Sequence, residues 1–239
     1  MKASSIIGHR GACGHAPENT LASVRKAAEL GVQWVEFDTM LSADDEVVII
    51  HDESLKRTTG LDALVAQTNW HDMHKLDAGG WYSQTFAGEG IPLFRDVIKL
   101  LDTLKLNAVI EIKPSTGRDE ETSRLSAQIV KDYWPETLPS PIFSSFNENA
   151  LKAARNHAPD IPRALNVSGS LDSWQERLQM LDCVAIHCNH KLLDEAGCAA
   201  IIEAGYDLRC FTVNELQRGQ TLIDWGATAI FTDYPDRFL

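Results

Sequence analysis

The sequence predicts a (β/α)8 barrel, the TIM barrel, and three observations carry that prediction. Nine short β-prone runs are spread along 239 residues; with one set aside as the return arm of a hairpin, eight remain, nearly all alternating with helix-like segments. Such a barrel usually takes about 250 residues. Ionisable residues recur at the ends of several of these strands, where a barrel builds its site, whereas an open doubly wound sheet gathers them at one crevice. That alternative sheet also lacks its usual mark, since no G-x-G-x-x-G follows the first strand.

The first strand, Ser5-Ile6-Ile7-Gly8, runs directly into His9, Arg10 and Gly11. Asn19 or Thr20 can cap a helix that carries Leu21, Val24 and Ala28 at helical spacing and ends at Gly31. The stretch from Val32 to Asp52 then places Glu36 and Asp38 on one face of a strand, because side chains alternate along it. It turns through Ser42-Ala43-Asp44-Asp45 and returns as Val47-Val48-Ile49-Ile50 to His51. A connection of four or five residues is too short for a parallel crossover. The two runs should therefore pair as an antiparallel hairpin centred near Asp44, bringing His51 back beside residues 37 and 38.

From about residue 53 to 91 the periodicity loosens, and Trp70, Trp81, Tyr82 and Phe86 stand among turn-forming residues. This reads as an inserted loop region after the hairpin, packed down on something else, within a single domain of residues 1–239. Regularity then returns. A helical stripe of Phe94, Val97, Ile98, Leu101 and Leu104 precedes a strand over 108–113 that stops at Pro114. A helix carrying Leu125, Ile129 and Tyr133 leads to a strand at 142–144, and Asn147 caps the next helix. Strands over 163–167, 184–187, 209–213 and 229–233 complete the set. The helices between them start near Leu171, run through Leu192, Leu193, Ala196 and Ile201 to Gly205, and run through Leu216 and Leu222 to Gly226.

Composition excludes several classes of function. Hydrophobic residues make up 44% and charged residues 23%, an ordinary globular balance, with no apolar run of about 18 residues to span a bilayer. The N-terminus lacks the apolar core of a signal peptide, so a cytoplasmic protein without membrane anchoring is expected. A net charge of −12 argues against a nucleic-acid or anionic-membrane partner. Five cysteines without C-x-x-C or zinc-type spacing imply neither a disulfide framework nor a zinc site.

The strand ends carry the chemistry. His9 and Arg10 end the first strand, Glu36 and Asp38 lie on the second, Glu111 and Lys113 end the third, and the hairpin returns His51 to the same rim. Strands covered on both faces should be apolar runs, and unpaired buried charge is costly, so this cluster needs something to satisfy it. Internal salt bridges from Arg10 and Lys113 would leave three carboxylates against two permanent cations. A hard divalent cation restores the balance, and carboxylate oxygens suit Mg²⁺ or Ca²⁺ better than zinc. Glu36, Asp38 and Glu111 are therefore the expected metal ligands. His9 and His51 remain for proton transfer, as an ordinary imidazole pKa of about 6.5 allows. Arg10 and Lys113 suit a phosphate oxygen. Together these groups describe phosphoryl transfer on a diester.

The segments HRGACGHAPENTLAS from His9, VEFDTMLSADDEVVIIHDESLKRTTG from Val35, IEIKP from Ile110, SSF from Ser144, FTVN from Phe211 and TDYP from Thr232 closely resemble the glycerophosphodiester phosphodiesterase family. HCNHKLLD from His187 resembles its small cytosolic bacterial members. The resemblance implies hydrolysis of small-molecule glycerophosphodiesters, such as glycerophosphocholine and other deacylated phospholipids, to glycerol 3-phosphate and an alcohol, with one Mg²⁺ or Ca²⁺ per site. It implies attack of a glycerol hydroxyl on phosphorus and a cyclic phosphate that water opens, with the choice of basic histidine left open. By position the family's metal carboxylates fall on Glu36, Asp38 and Glu111, its acid and base on His9 and His51, and its phosphate contacts on Arg10 and Lys113. Phe211 matches the aromatic that faces the glycerol pocket in relatives. Glu18 matches the PEN carboxylate, expected to support the site from behind its ligands. A lysophospholipase D or phospholipase-like lyase on the same barrel is the alternative, disfavoured by an acidic chain without an amphipathic apolar stretch. His187 and His190 are expected to be structural or peripheral.

Overall fold

Apolar runs flanked by helices close into the expected barrel in the computed structural model, which describes residues 1–239. The strands are β1 (Ile6–Gly8), β2 (Trp34–Leu41), β3 (Val47–Ile49), β4 (Asn107–Ile112), β5 (Ile142–Ser145), β6 (Arg163–Val167), β7 (Ala185–Asn189), β8 (Asp207–Phe211) and β9 (Ala229–Thr232). All but β3 pair in parallel, in the order β1-β9-β8-β7-β6-β5-β4-β2, and a β1–β2 pairing closes the ring. The sheet is covered by α1 (Leu21–Glu29), α4 (Phe94–Leu104), α5 (Asp119–Tyr133), α6 (Glu148–His157), α7 (Trp174–Leu181), α8 (Glu195–Glu203) and α9 (Leu216–Asp224). Two single-turn helices, α2 (Lys56–Thr59) and α3 (Trp70–Met73), lie in the insertion.

The near-continuous apolar strands are explained by burial on both faces. Outward side chains such as Phe37, Ile110, Phe143, Leu165, Ile186 and Leu208 join the helices in a core of 42 buried residues. Inward ones, Ile7, Val109, Ile142, Ala164, Ala185, Ala229 and Phe231, form a separate plug of seven. Alanines suit the narrow interior of an eight-stranded barrel. Two residues further along five of these strands the same inward face turns polar: Ile7 gives way to His9, Val109 to Glu111, Ile142 to Ser144, Ala164 to Asn166 and Ala185 to His187. The plug is thus the floor on which the polar layer stands.

Local capping sets the helix starts. The Thr20 hydroxyl accepts from Ser23 N, so Thr20 is the cap of α1, while Asn19 has a left-handed backbone (φ 56°) and sends its side chain elsewhere. Asn147 caps α6 by accepting from Asn149 and Ala150 N. The helix expected through Leu192 begins later, at Glu195, because Asp194 accepts from Gly197 N and His190–Leu192 is a 3-10 turn.

The hairpin has the expected register, with Thr39 opposite Ile49 and Leu41 opposite Val47, and Ile50 N donates to Asp38 O at 3.1 Å. Its outer face contributes a third of a second core. Met40, Val48 and Ile50 pack with Leu55, Val65, Met73 and Ala78 from the insertion and with Ile91 and Leu93, nine residues in all. The insertion's weak periodicity follows from this division, since most of its apolar partners come from the hairpin. No helix is long and apolar enough to cross a membrane. Leu55 is fully buried at the head of α2, so Leu55→Ala is expected to cost about 2–4 kcal/mol, measured by urea unfolding.

Candidate active site

The site begins at the turn that ends β1. Arg10 (φ 49°) and Gly11 (φ 86°) are consecutive left-handed residues, a conformation costly for arginine and natural for glycine. A Cβ on Gly11 would lie 2.3 Å from Ser23 Oγ, so the turn is packed directly on α1. That hydroxyl donates to Arg10 O at 2.6 Å and accepts from Ala12 N at 2.9 Å. The turn thereby aims Arg10 N at Glu36 Oε2, 3.0 Å away.

Glu36 and Asp38 share the inward face of β2, and Glu111 stands beside Asp38 in register on β4. All three are buried, and their oxygens approach within 4.8 Å of one another. Neutral donors hold each one. Glu111 Oε2 accepts from Asn166 Nδ2 at 3.1 Å, and Asp38 Oδ2 accepts from Asn19 Nδ2 at 2.8 Å. The cations keep a distance: Arg10 Nε is 3.6 Å and Lys113 Nζ 3.9 Å from Asp38, and neither forms an ion pair with Glu36 or Glu111. Burial, reinforced by the charge of Asp38, pushes the Glu36 carboxyl up to about 7 and that of Glu111 well above the ordinary range. An all-oxygen set of crowded, under-neutralised carboxylates fits a hard divalent cation.

Each imidazole is held from behind by a carboxylate. His9 Nδ1 donates to Asp233 Oδ1 at 2.7 Å, and the same oxygen accepts from the Cys13 thiol at 2.9 Å. Asn214 Nδ2 fixes the other Asp233 oxygen at 2.7 Å. Burial opposes charge on His9, but the Asp233 hydrogen bond and the nearby Glu36 outweigh it and raise its pKa. His51 Nδ1 donates to Asp52 Oδ1 at 2.7 Å. There burial prevails, with Arg10 and Lys113 opposing the pull of Asp38 and Asp52, and the pKa is lowered. Both rings line the same cavity and leave Nε2 without a protein partner.

A chain of charges ties the halves together. Asp52 Oδ2 accepts from Arg57 Nε at 2.6 Å, and Arg57 grips Glu18 with two bonds of 2.7 and 2.8 Å. Glu18 Oε1 also accepts from Arg10 Nη1 at 2.8 Å. Glu18 precedes the cap of α1 and acts as a bridge between two arginines, not as an acid of the helix's first turn. The cavity has a volume of about 150 Å³, and Phe211 forms part of its apolar wall, edge-on to Phe146 at 5.6 Å and to Phe231 at 6.5 Å.

The structure therefore brings His9, Arg10, Glu36, Asp38, His51, Glu111 and Phe211 to one cavity. Lys113 reaches the site at Asp38, its Nζ 3.9 Å from Oδ1, and Glu18 lies behind Arg10. His187, expected to be structural or peripheral, is instead part of the cavity wall, because it sits two residues beyond Ala185 on the inward face of β7. His190 lies outside it, against Arg218. Asp233, Asp52, Asn19 and Asn166 were not singled out by their residue types. Asp233 follows β9 directly and Asp52 follows His51, so the strand-end rule that picked out the other ionisable groups reaches them too.

A model of the glycerophosphoryl diester phosphodiesterase family matches residues 9–237. The chain belongs to that family. A glycerophosphodiester phosphodiesterase of Caldanaerobacter subterraneus subsp. tengcongensis is 31% identical over 98% of this chain and 96% of its own length. A phosphodiesterase of Oleispira antarctica, solved in complex with its product sn-glycerol 3-phosphate, superposes with a TM-score of 0.95 at 40% identity, covering 98% of this chain and 94% of that one. A glycerophosphodiester phosphodiesterase of Agrobacterium tumefaciens superposes with a TM-score of 0.79 at 25% identity over 98% of both chains. Membership of the glycerophosphoryl diester phosphodiesterase family makes this chain a phosphoric diester hydrolase on a (β/α)8 barrel.

The raised carboxyls have a consequence for stability. A group whose folded pKa lies above its unfolded value stabilises the fold at pH below both values, and that stability is lost as pH rises through the folded value. Chelated protein is thus expected to lose thermal stability between about pH 5 and 8, as Glu36 ionises through about 7. Mg²⁺ or Ca²⁺ at 100 times its Kd should return about 2.7 kcal/mol at pH 8. Glu111→Gln should stabilise the chelated protein and lose most of the cation-induced rise, both read by thermal unfolding.

Proposed function

We propose that this chain, acting as a single domain over residues 1–239, hydrolyses glycerophosphodiesters to glycerol 3-phosphate and an alcohol, with Mg²⁺ or Ca²⁺ held by Glu36, Asp38 and Glu111. The observation that carries this reading is one cavity in which three under-neutralised carboxylates face two imidazoles, each with its Nδ1 engaged by a carboxylate. The glycerol 3-phosphate bound by the 40% identical relative supports the choice of substrate class.

When bound, the cation polarises a phosphoryl oxygen and offsets the negative charge that grows there. Arg10, clamped by Glu18 through Nη1, has Nη2 free to donate to a phosphate oxygen, and Lys113 adds a second positive charge from the rim. The oppositely displaced histidines divide the proton work. His51, the weaker base in protonation but neutral near pH 7, takes the proton of the attacking glycerol hydroxyl through Nε2. His9, which holds its proton to higher pH, gives it to the departing alcohol oxygen. The P–O bond to the alcohol breaks as the bond from the glycerol hydroxyl forms, leaving a cyclic phosphate. Water then opens the ring with the two roles reversed, His9 accepting and His51 donating. Asp233 and Asp52 keep each ring in the tautomer and orientation that these transfers require.

The pH–rate profile should be bell-shaped. Its acid limb lies below the ordinary imidazole value, where His51 becomes protonated, and its alkaline limb above it, where His9 loses its proton. Asp233→Asn removes the charge that favours protonated His9, so the alkaline limb should move to lower pH and kcat fall by about 10–100-fold. The decisive assay measures glycerol 3-phosphate release from glycerophosphocholine with and without EDTA. Chelation and His51→Ala should each remove activity, the latter by about 10²–10⁴-fold. Undiminished turnover in EDTA would sink the metal assignment, and faster turnover of lysophosphatidylcholine would favour the lysophospholipase D alternative.

A further inference from the structure

Asn166 and His187 are neighbours in register on the inward faces of β6 and β7. The orientation of the Asn166 amide is set by its surroundings: Nδ2 lies 3.1 Å from Glu111 Oε2 and 3.5 Å from Ser144 Oγ. The Glu111 and Ser144 oxygens both accept from the amide nitrogen, which therefore faces them. The amide oxygen is then left 3.0 Å from His187 Nδ1, and because a carbonyl only accepts, Nδ1 carries the ring's proton. His187 is 1% exposed, and burial, assisted by Arg209, holds the ring neutral. Its Nε2 is consequently a bare lone pair.

That nitrogen is buried and has no hydrogen-bond partner, in a ring that lines the cavity and lies 5.0 Å from the ring of Phe231. Buried acceptors are rarely left unpaired. A phosphodiester anion has no proton to offer, and its oxygens are repelled by a lone pair. The glycerol half of the same substrate does offer protons, on its hydroxyls. We propose that His187 Nε2 accepts a hydrogen bond from the terminal hydroxyl of the substrate's glycerol, whose carbon chain lies against Phe231 and Phe211. This deepens the glycerophosphodiester reading and rests on it. The terminal hydroxyl is assigned because the other one is consumed in the attack, and His187 is too weak a base to drive that step. A substrate acylated at the terminal position brings no donor and leaves Nε2 unsatisfied, so His187 selects deacylated diesters over lysophospholipids.

The test compares sn-glycerol 3-phosphate with propane-1,2-diol 1-phosphate, which lacks only the terminal hydroxyl, as competitive inhibitors of glycerophosphocholine hydrolysis. Wild-type protein should bind glycerol 3-phosphate about tenfold more tightly. In His187→Leu the two should bind alike, through weakened binding of glycerol 3-phosphate alone. His187→Gln, which retains an accepting oxygen, should recover part of the preference; both variants are compared by thermal unfolding in the presence of each ligand as well as by inhibition. Equal affinities in the wild type, or a preference that survives in His187→Leu, would overturn the assignment. Loss of the underlying reading has a different signature, wild-type protein that releases no glycerol 3-phosphate at all.

Discussion

Mutual repulsion among Glu36, Asp38 and Glu111 is the constraint around which the top of the barrel is arranged. Three carboxyls buried within 4.8 Å of one another cannot all ionise cheaply. Full ion pairing would relieve them, yet Arg10 and Lys113 stop 3.6 and 3.9 Å from Asp38 and form no ion pair with the other two. Instead the carboxylates are positioned by neutral groups: the Arg10 amide, the Asn19 side chain and the Asn166 side chain. These donors orient the oxygens without cancelling their charge. A cavity so built keeps its negative charge uncompensated, and its all-oxygen donor set suits a hard divalent cation.

The same constraint explains why the arginines are restrained elsewhere. Glu18 takes Arg10 Nη1 and both Nη atoms of Arg57, and Asp52 takes Arg57 Nε. Those bonds hold Arg10 from collapsing onto the carboxylates. They also connect Asp52, the carboxylate behind His51, to Arg10 through one continuous chain. Arg57 belongs to α2 in the insertion, so the insertion supplies a structural member of the site and not merely a cover for the hairpin. Its small core, shared with Met40, Val48 and Ile50, is what gives that arm rigidity.

Much of this was legible because a strand has a period of two. Once Ile7, Val109, Ala164 and Ala185 are recognised as barrel plug, the residue two positions on must face the cavity, and charge at that position marks the site. In the sequence His9, Glu36, Asp38 and Glu111 stand out as ionisable residues on or at the ends of apolar strands, and the eight-strand count rests on those runs alternating with helices. His187 obeys the same rule, but a lone histidine in an apolar strand resembles an ordinary buried one. Asn166 and Asn19 were less visible because neutral side chains carry no sign of what they contact. The Asn19 turn depends on a left-handed backbone and a partner 19 residues away, neither of which local propensity encodes. The insertion's core was hidden for a related reason: its apolar half is distributed over two separate segments.

The two imidazoles show how one motif is tuned in two directions. Each ring donates Nδ1 to a carboxylate at 2.7 Å, yet His9 is raised and His51 lowered. The immediate partner cannot account for that difference. Around His9, Asp233 is dedicated to the imidazole, being bonded otherwise only by the neutral Cys13 thiol and Asn214, and Glu36 adds its charge. Around His51, Asp52 is shared with Arg57, while Arg10 and Lys113 oppose protonation from the front. Arg10 opposes protonation of both rings, so the difference lies in Lys113 facing His51, in Asp52 being shared with Arg57, and in the charge of Glu36 beside His9.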